Sequence, residues 1–302
     1  MEFAPKKLEE FIGQDQIKRS IEVSIVATKK RKEAFPHILL YGGSGLGKTT
    51  LANIIAKEYG KKMHTFLAPA LEDHYDVYDV IRDIGKGQFV FIDEIHALPK
   101  KLQEAFFVVM TDFKLEYYTG YWDKVNPFTL IGATTNLGDL ANPFRERFGF
   151  IIQLQSYTTE EIGRIIDINV KRNKLKVRSD AIKMIANSSR KNPRTANRLL
   201  QRCRDTQTYN SSKDISTDIV EETLFNLQID ENGLTTSDLL ILNTLTKQFD
   251  TKPTGIKSLA LSTNLDIKAI ELVYEPMLLE LGLLERTPKG RIVTEKGVAY
   301  IA

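Results

Sequence analysis

Apolar residues run along this chain in two rhythms, and the change between them divides it. In the first half, short continuous apolar runs lie at His37–Tyr41, Lys62–Phe66, Phe89–Ile92, Phe128–Gly132 and Gly149–Leu154. Between them, at Asp15–Lys30, Lys48–Tyr59, Val77–Asp83 and Lys101–Met110, the pattern is helical. A strand buried on both faces of a parallel sheet has no polar face to alternate with. The runs therefore predict an α/β domain with a parallel sheet. Near Ser156-Tyr157-Thr158 the strands stop. Thr158 or Thr159, followed by Glu160-Glu161, is a helix start, and the periodicity stays helical to about Leu227 through Ile162, Ile165, Ile166 and Val170. A third unit begins near Asn232-Gly233. It predicts a helix from Ser237 or Asp238 through Phe249, a short one over Thr254–Ser262 and a longer one over Asp266–Leu281. A hairpin with Pro288-Lys289-Gly290 at its turn follows. Three helices and a β-ribbon predict a winged helix. The expected domains are residues 1–156, 157–230 and 231–302.

The first of these domains carries chemistry. Gly42 to Thr49 reads Gly-Gly-Ser-Gly-Leu-Gly-Lys-Thr, directly after an apolar run and directly before a helix. This is the G-x-x-x-x-G-K-T phosphate loop in its expected strand-to-helix setting. Its glycines let backbone N–H groups point at a polyphosphate. Lys48 is expected to reach the β- and γ-phosphates of ATP, and the Thr49 hydroxyl to hold Mg²⁺. The helix from Thr50 adds its positive N-terminus. The run Phe89–Ile92 ends in Asp93-Glu94. An acidic strand end is common on any surface. Beside a phosphate loop, Asp93 is expected to hold Mg²⁺ through water and Glu94 to polarise the attacking water.

Further along, Ala133-Thr134-Thr135-Asn136 closes another strand with groups able to sense a γ-phosphate. Asn142–Gly149 places Arg145 and Arg147 just before the next strand, where a ring ATPase keeps an arginine for its neighbour's nucleotide. Asn192-Pro193-Arg194 opens a helix of the second domain, from which the arginine could touch phosphate. Each arginine alone is more often a surface residue; their order and spacing carry the weight.

Bulk properties exclude more than they identify. The 302 residues suit two or three domains, and a 42% hydrophobic content is ordinary for a soluble protein. The single cysteine, Cys203, leaves no disulfide framework or multi-cysteine zinc site. There is neither a signal-peptide stretch nor an apolar run of the roughly 20 residues a membrane span needs, so a cytoplasmic protein without a membrane partner is expected. Net charge is only +3, but Arg164 to Arg204 holds thirteen Lys/Arg against Asp167 and Asp180. That excess suits a polyanion partner or a solvated helix face equally well. His96, beside the acidic pair, is as well explained by structure as by function.

The order of these parts resembles the AAA+ ATPases and, over nearly the whole chain, the RuvB family of Holliday junction branch-migration motors. Leu8–Gln14, Gly45–Ala52, Phe91–His96, Phe128–Thr135 and Pro193–Leu200 carry the likeness, much of it shared across AAA+ proteins. Val273–Leu279 and Arg286–Arg291 are specific to RuvB and decide the family. The resemblance implies phosphate and metal roles for Lys48 and Thr49 within Gly42, Gly45, Leu46, Gly47 and Thr50. It implies metal and water roles for Asp93 and Glu94, and a γ-phosphate sensor at Thr135. Arg147 becomes the trans-acting finger and Arg194 the lid sensor. Ile12 and Tyr157 fall in the adenine pocket, and Arg286, Lys289 and Arg291 on a DNA-binding wing. It further implies a homo-hexamer around duplex DNA, one on each of two opposite arms of a four-way junction, with RuvA-type and RuvC-type partners in recombination and repair.

Departures are local. Gly43-Ser44 stands where the family has two prolines, and Ala4, Ala97 and Asn136 replace expected arginines. The segment Lys114–Pro127 is shorter than the family's RuvA-docking hairpin but is rich in aromatics, Tyr117, Tyr118, Tyr121 and Trp122, and is expected to be an exposed docking element. Two other functions share parts of this pattern: a replication initiator or helicase loader with a winged helix, and a non-hydrolysing DNA-binding regulator. The stretch Tyr274-Glu275-Pro276 argues against the first, and the presence of Glu94, Arg147 and Arg194 together against the second.

Overall fold

The computed structural model describes residues 1–118 and 121–302, with the backbone alone at 116–118 and 121. The chain forms two compact units. One comprises Met1–Ile165 with Asn192–Arg194, the other Ile166–Lys191 with Thr195–Ala302.

The first unit is built on a five-stranded sheet of β1 (Ile38–Tyr41), β2 (Met63–Leu67), β3 (Phe89–Asp93), β6 (Thr129–Thr134) and β7 (Phe150–Gln153), in the order β2-β3-β6-β1-β7 with every pair parallel. All five predicted runs are strands. The three central ones bury their apolar residues on both faces, as at Ile38–Leu40 and Phe89–Ile92. The edge strands leave Leu67 and Ile151 exposed. Helices α1 (Asp15–Arg31), α2 (Lys48–Tyr59), α3 (His74–Arg82), α4 (Lys100–Asp112) and α5 (Asn142–Arg145) connect the strands. One core joins Leu39, Val90 and Ile92 of the sheet to Val77 and Ile81 of α3 and Phe106 of α4. Helix α3 starts three residues before the expected Val77 because Asp73 caps it: the Asp73 carboxylate accepts from the Tyr75 and Asp76 N–H groups, and Asp76 accepts in return from Asp73 N–H. His37 is structural. Burial pushes its pKa down to about 4, and the neutral ring accepts from Leu130 N–H at 2.8 Å.

Strands β4 (Lys114–Tyr118) and β5 (Tyr121–Lys124) form a separate antiparallel hairpin with a register shift between Glu116 and Tyr118. Leu115 is buried in the core and Trp122 is exposed. Residues 119–120, and the side chains of Tyr117, Tyr118 and Tyr121, on which the docking expectation leaned, lie outside the described residues.

The second unit contains the second half of α6 (Thr159–Arg172), then α7 (Ser179–Asn187), most of α8 (Pro193–Tyr209) and α9 (Thr217–Asn226). The winged helix follows as α10 (Thr236–Lys247), α11 (Ile256–Thr263), α12 (Ile267–Ala269), α13 (Glu275–Glu280), β8 (Leu284–Thr287), β9 (Gly290–Val293) and α14 (Glu295–Ile301). The single helix expected over Asp266–Leu281 is interrupted by a π-helical turn at Ile270–Tyr274. Pro276 has no N–H to donate, and its ring crowds the carbonyl four residues back, so the regular ladder cannot run through it. Helix α14 was not apparent from the pattern. It is about two turns long, started by Thr294, whose hydroxyl accepts from Gly297 N–H at 3.0 Å. Among the described residues no helix is long and apolar enough to cross a membrane.

Candidate nucleotide site

The phosphate loop leaves β1 at the carboxyl end of the sheet. Register places Tyr41 beside Thr134 and Ile92 beside Gly132. Gly42, Asp93-Glu94 and Thr134-Thr135 therefore line one edge, where parallel sheets bind ligands. Gly42, Gly45 and Gly47 have φ of 140°, 81° and 100°. A Cβ at Gly42 would sit 2.7 Å from the Leu154 carbonyl, so backbone conformation and space both demand glycine there. The loop encloses the Lys48 side chain. Lys48 is buried, and its Nζ donates to the Gly42 and Gly43 carbonyls at 2.8 and 3.0 Å. Burial lowers its pKa; the charges of Glu94 and Asp93 oppose that shift.

Thr49, at the start of α2, donates its hydroxyl to Asp93 Oδ2 at 3.3 Å. These are hard oxygen donors of the type Mg²⁺ prefers, brought together by β3 and the helix start. Glu94 has φ of 51°, an uncommon left-handed conformation for a non-glycine residue. Its Oε2 lies 3.4 Å from the Thr135 hydroxyl and 3.3 Å from His96 Nδ1. His96 Nδ1 also lies 2.9 Å from the Thr134 hydroxyl, which accepts from Asn136 N–H at 2.9 Å. His96 therefore belongs to the site. Its position three residues after Asp93 was the only sequence signal, and that signal was ambiguous.

On the opposite side, half-buried Ile12 lies between Phe11, which is buried, and Gln14. The Gln14 amide bonds the Gln155 backbone in both directions, at 2.8 and 3.2 Å. Buried Tyr157 donates its hydroxyl to the Leu46 carbonyl at 3.1 Å, and burial holds its pKa above the usual phenol range. The Ile12 and Tyr157 segments are thus joined beside the loop. Half-buried Thr50 lies in the first turn of α2.

The three residues that interrupt the second unit complete the site. Asn192 Nδ2 donates to the Ser44 carbonyl at 2.7 Å, and its Oδ1 accepts from Arg194 N–H at 2.9 Å. Arg194 Nη1 donates to the Ser44 hydroxyl at 3.2 Å. A proline at 44 could not offer that acceptor. Arg147 is elsewhere: exposed, with its guanidinium 4.2 Å from the Phe107 ring centroid on α4. Arg145 is tied to Asn142 within its own turn.

On the wing, two of the three expected DNA-binding cations share an acidic partner. Arg286 donates to both oxygens of Glu275 at 2.6 and 2.9 Å. Arg291 donates to the same oxygens at 3.0 and 3.1 Å, and to Glu271 at 3.2 Å. Burial would raise the pKa of Glu275, but the two guanidiniums outweigh it and hold the carboxylate below its usual range. Lys289, exposed at the turn, is the cation of the three outside this network. The basic run is also partly paired with acids from elsewhere. Arg178 pairs with Asp214, Arg190 with Asp238, Lys191 with Glu280 and Arg202 with Asp205, all four acids lying beyond the run itself. Cys203 is buried, and burial pushes its thiol up to about 11.

Three family models cover the chain in succession: the P-loop domain of the Holliday junction DNA helicase RuvB at residues 3–154, the RuvB AAA lid domain at 157–230 and the RuvB C-terminal winged helix domain at 231–302. The Holliday junction branch migration complex subunit RuvB of Pseudothermotoga lettingae is 41% identical over 98% of this chain and 88% of its own length. That of Microcystis aeruginosa is 40% identical over 99% and 86%. A solved structure of the Thermotoga maritima RuvB Holliday junction branch migration motor superposes with a TM-score of 0.88 at 40% identity, covering 99% of this chain and 98% of that one. With all three parts matched in order and relatives this similar along nearly the full length, the chain belongs to the RuvB family.

Proposed function

We propose that this protein is an ATP-hydrolysing motor that drives branch migration of Holliday junctions in recombination and repair. In this proposal it acts in the cytoplasm as a homo-hexamer on duplex DNA, with a RuvA-type junction-binding partner and a RuvC-type resolvase downstream. The observation that carries the reading is one edge of the sheet joining a glycine loop, a buried lysine, Asp93-Glu94 and the Thr134-Thr135 strand end, in a chain that also has a winged helix. The proposed domains are 1–156 for the ATPase, 157–230 for the lid and 231–302 for the winged helix.

In the proposed cycle Lys48 leaves the Gly42 and Gly43 carbonyls for the β- and γ-phosphates. Gly42, Gly45, Leu46, Gly47 and Thr50 frame the phosphates, and Ile12 and Tyr157 hold the adenine. Thr49 and Asp93 would hold Mg²⁺, which would supply charge neutralisation at the phosphates. Glu94 polarises the attacking water, Thr135 senses the γ-phosphate beside it, Arg194 leaves Ser44 to do so from the lid, and Arg147 serves the neighbouring subunit. The reading is tested by a synthetic four-way junction with ATP, with and without a RuvA protein. ATP-dependent arm exchange stimulated by RuvA is expected, and ATP hydrolysis without exchange would favour a loader. The exposed Trp122 on β5 supports the hairpin as the RuvA-docking element.

The wing is proposed to grip phosphates without reading bases, since a sliding motor gains nothing from sequence preference. Lys289 is the readily available cation, whereas Arg286 and Arg291 must share Glu275 with DNA. Lys289→Ala is expected to weaken duplex binding equally on unrelated sequences and to lower the salt slope by about one unit. Fluorescence anisotropy titrations at several salt concentrations check this. An unchanged slope would place the contact elsewhere.

A further inference from the structure

The segment Arg190–Arg194 changes allegiance within five residues. Asn192 and Arg194 bond the phosphate loop. Arg190 and Lys191 bond the winged helix instead. Arg190 Nη2 pairs with Asp238 Oδ2, its Nε donates to the Gly233 carbonyl at 2.6 Å and its Nη1 lies 3.5 Å from the Val273 carbonyl in the π-turn. Lys191 pairs with Glu280 on α13.

Asp238 is wholly buried. Its Oδ2 also accepts from the Thr235 N–H and hydroxyl at 2.7 and 2.6 Å, while its Oδ1 is without a hydrogen-bond partner among the described residues. A buried carboxylate in this state depends on its counter-ion. The chain between α9 and α10 is stitched rather than loose. Ile229 bridges Thr235, and Asp230 N–H donates to the Leu234 carbonyl at 2.9 Å. The Ser188 hydroxyl donates to the Glu231 carbonyl at 3.0 Å. Gly233 has φ of 83°, and a Cβ there would lie 2.6 Å from the Ser188 carbonyl, so the lid backbone approaches as closely as glycine allows. From the other side Tyr300 of α14 donates to Asp230 at 2.6 Å and accepts from Asn232 at 2.9 Å.

We propose that Arg190 and Asp238 form a coupling clamp that makes the lid and the winged helix one rigid lever. Nucleotide-driven movement of Asn192 and Arg194 is thereby delivered to the DNA-binding wing. Removing the clamp leaves ATP hydrolysis intact and disconnects it from DNA movement. The inference rests on the motor function proposed above.

Spin labels at Lys183→Cys on α7 and Lys257→Cys on α11 test the lever directly, because both sites are exposed and the native Cys203 is buried. One narrow distance distribution is expected, the same with and without ATP. A nucleotide-dependent shift on the order of one helical turn, about 5 Å, would overturn the proposal. Asp238→Asn removes the ion pair while keeping the side chain's shape, leaving the Arg190 guanidinium to the Gly233 carbonyl, and is expected to broaden the distribution. In a folded Asp238→Asn variant, ATPase turnover without DNA should remain within about twofold of wild type, while ATP consumed per base pair migrated rises roughly fivefold or more. Arg190→Lys, which keeps the charge but not the fork, should lie between the two. An unchanged ATP cost in folded Asp238→Asn would overturn the clamp alone. A wild type that neither hydrolyses ATP nor moves a junction would overturn the proposed function and the clamp with it.

Discussion

Replacing Glu94 by glutamine is expected to abolish steady-state ATP hydrolysis while leaving ATP bound. The carboxylate stands at the carboxyl end of β3, in a left-handed backbone conformation, with the Thr135 hydroxyl and His96 Nδ1 both facing its Oε2. Glutamine has the same shape and can still accept from Thr135 through its amide oxygen, so the substitution changes basicity more than position. An amide cannot take up or polarise a water proton as a carboxylate does, and loss of such a group costs about 10² to 10⁴ in rate. Lys48, Thr49 and the glycine loop are untouched, so affinity should stay within a few-fold of wild type. Turnover by phosphate release, with retention measured by a fluorescent ATP analogue, separates the two effects. Near-normal turnover would mean that another group activates the water, and His96 is the candidate nearest to hand.

Chemistry that depends on neighbours in sequence was legible in the sequence; chemistry that depends on long-range pairing was not. The phosphate loop is eight consecutive residues, and β1 before it is a plain apolar run, so Gly42–Thr49 could be located without a structure. Asp93-Glu94 was legible for the same reason. The strands were found because burial on both faces leaves no polar position to confuse the pattern, and α3 was started late because its first turn, His74-Tyr75-Asp76, is polar and depends on a cap. The wing shows the limit. Arg286 and Arg291 stood out as cations, but a count of charges does not reveal that both share the single carboxylate of Glu275, eleven and sixteen residues away. The excess of positive charge from Arg164 to Arg204 suited a polyanion partner or a solvated face equally, and only the fold shows that Asp214, Asp238 and Glu280 pair with three of its thirteen cations from later elements. Ser44 was visible as a departure from the family's two prolines. That its hydroxyl and carbonyl receive Arg194 and Asn192, across about 150 residues of chain, required the fold.

Changing Arg147 to alanine is expected to lower ATP turnover by about 10³ while sparing ATP affinity, the cost of losing an arginine finger. Arg147 is exposed just after α5 and rests over the Phe107 ring, whereas Arg145 is held by Asn142. A guanidinium stacked on an aromatic face keeps its charge and its donors at modest cost, so it can be handed to a neighbouring subunit when a ring closes. The same geometry would suit a surface arginine with no catalytic part, and single-variant kinetics do not separate the two cases. Mixing does. Arg147→Ala and Lys48→Ala chains are each expected to be nearly inactive alone. In mixed rings some sites pair an intact Lys48 with an intact Arg147 from the adjacent chain, and those sites should turn over. Activity should therefore pass through a maximum as the mixing ratio is varied, with assembly confirmed by sedimentation. If Arg147 acted within its own chain, the mixture would contain no intact site, and turnover would stay at the level of the two variants at every ratio.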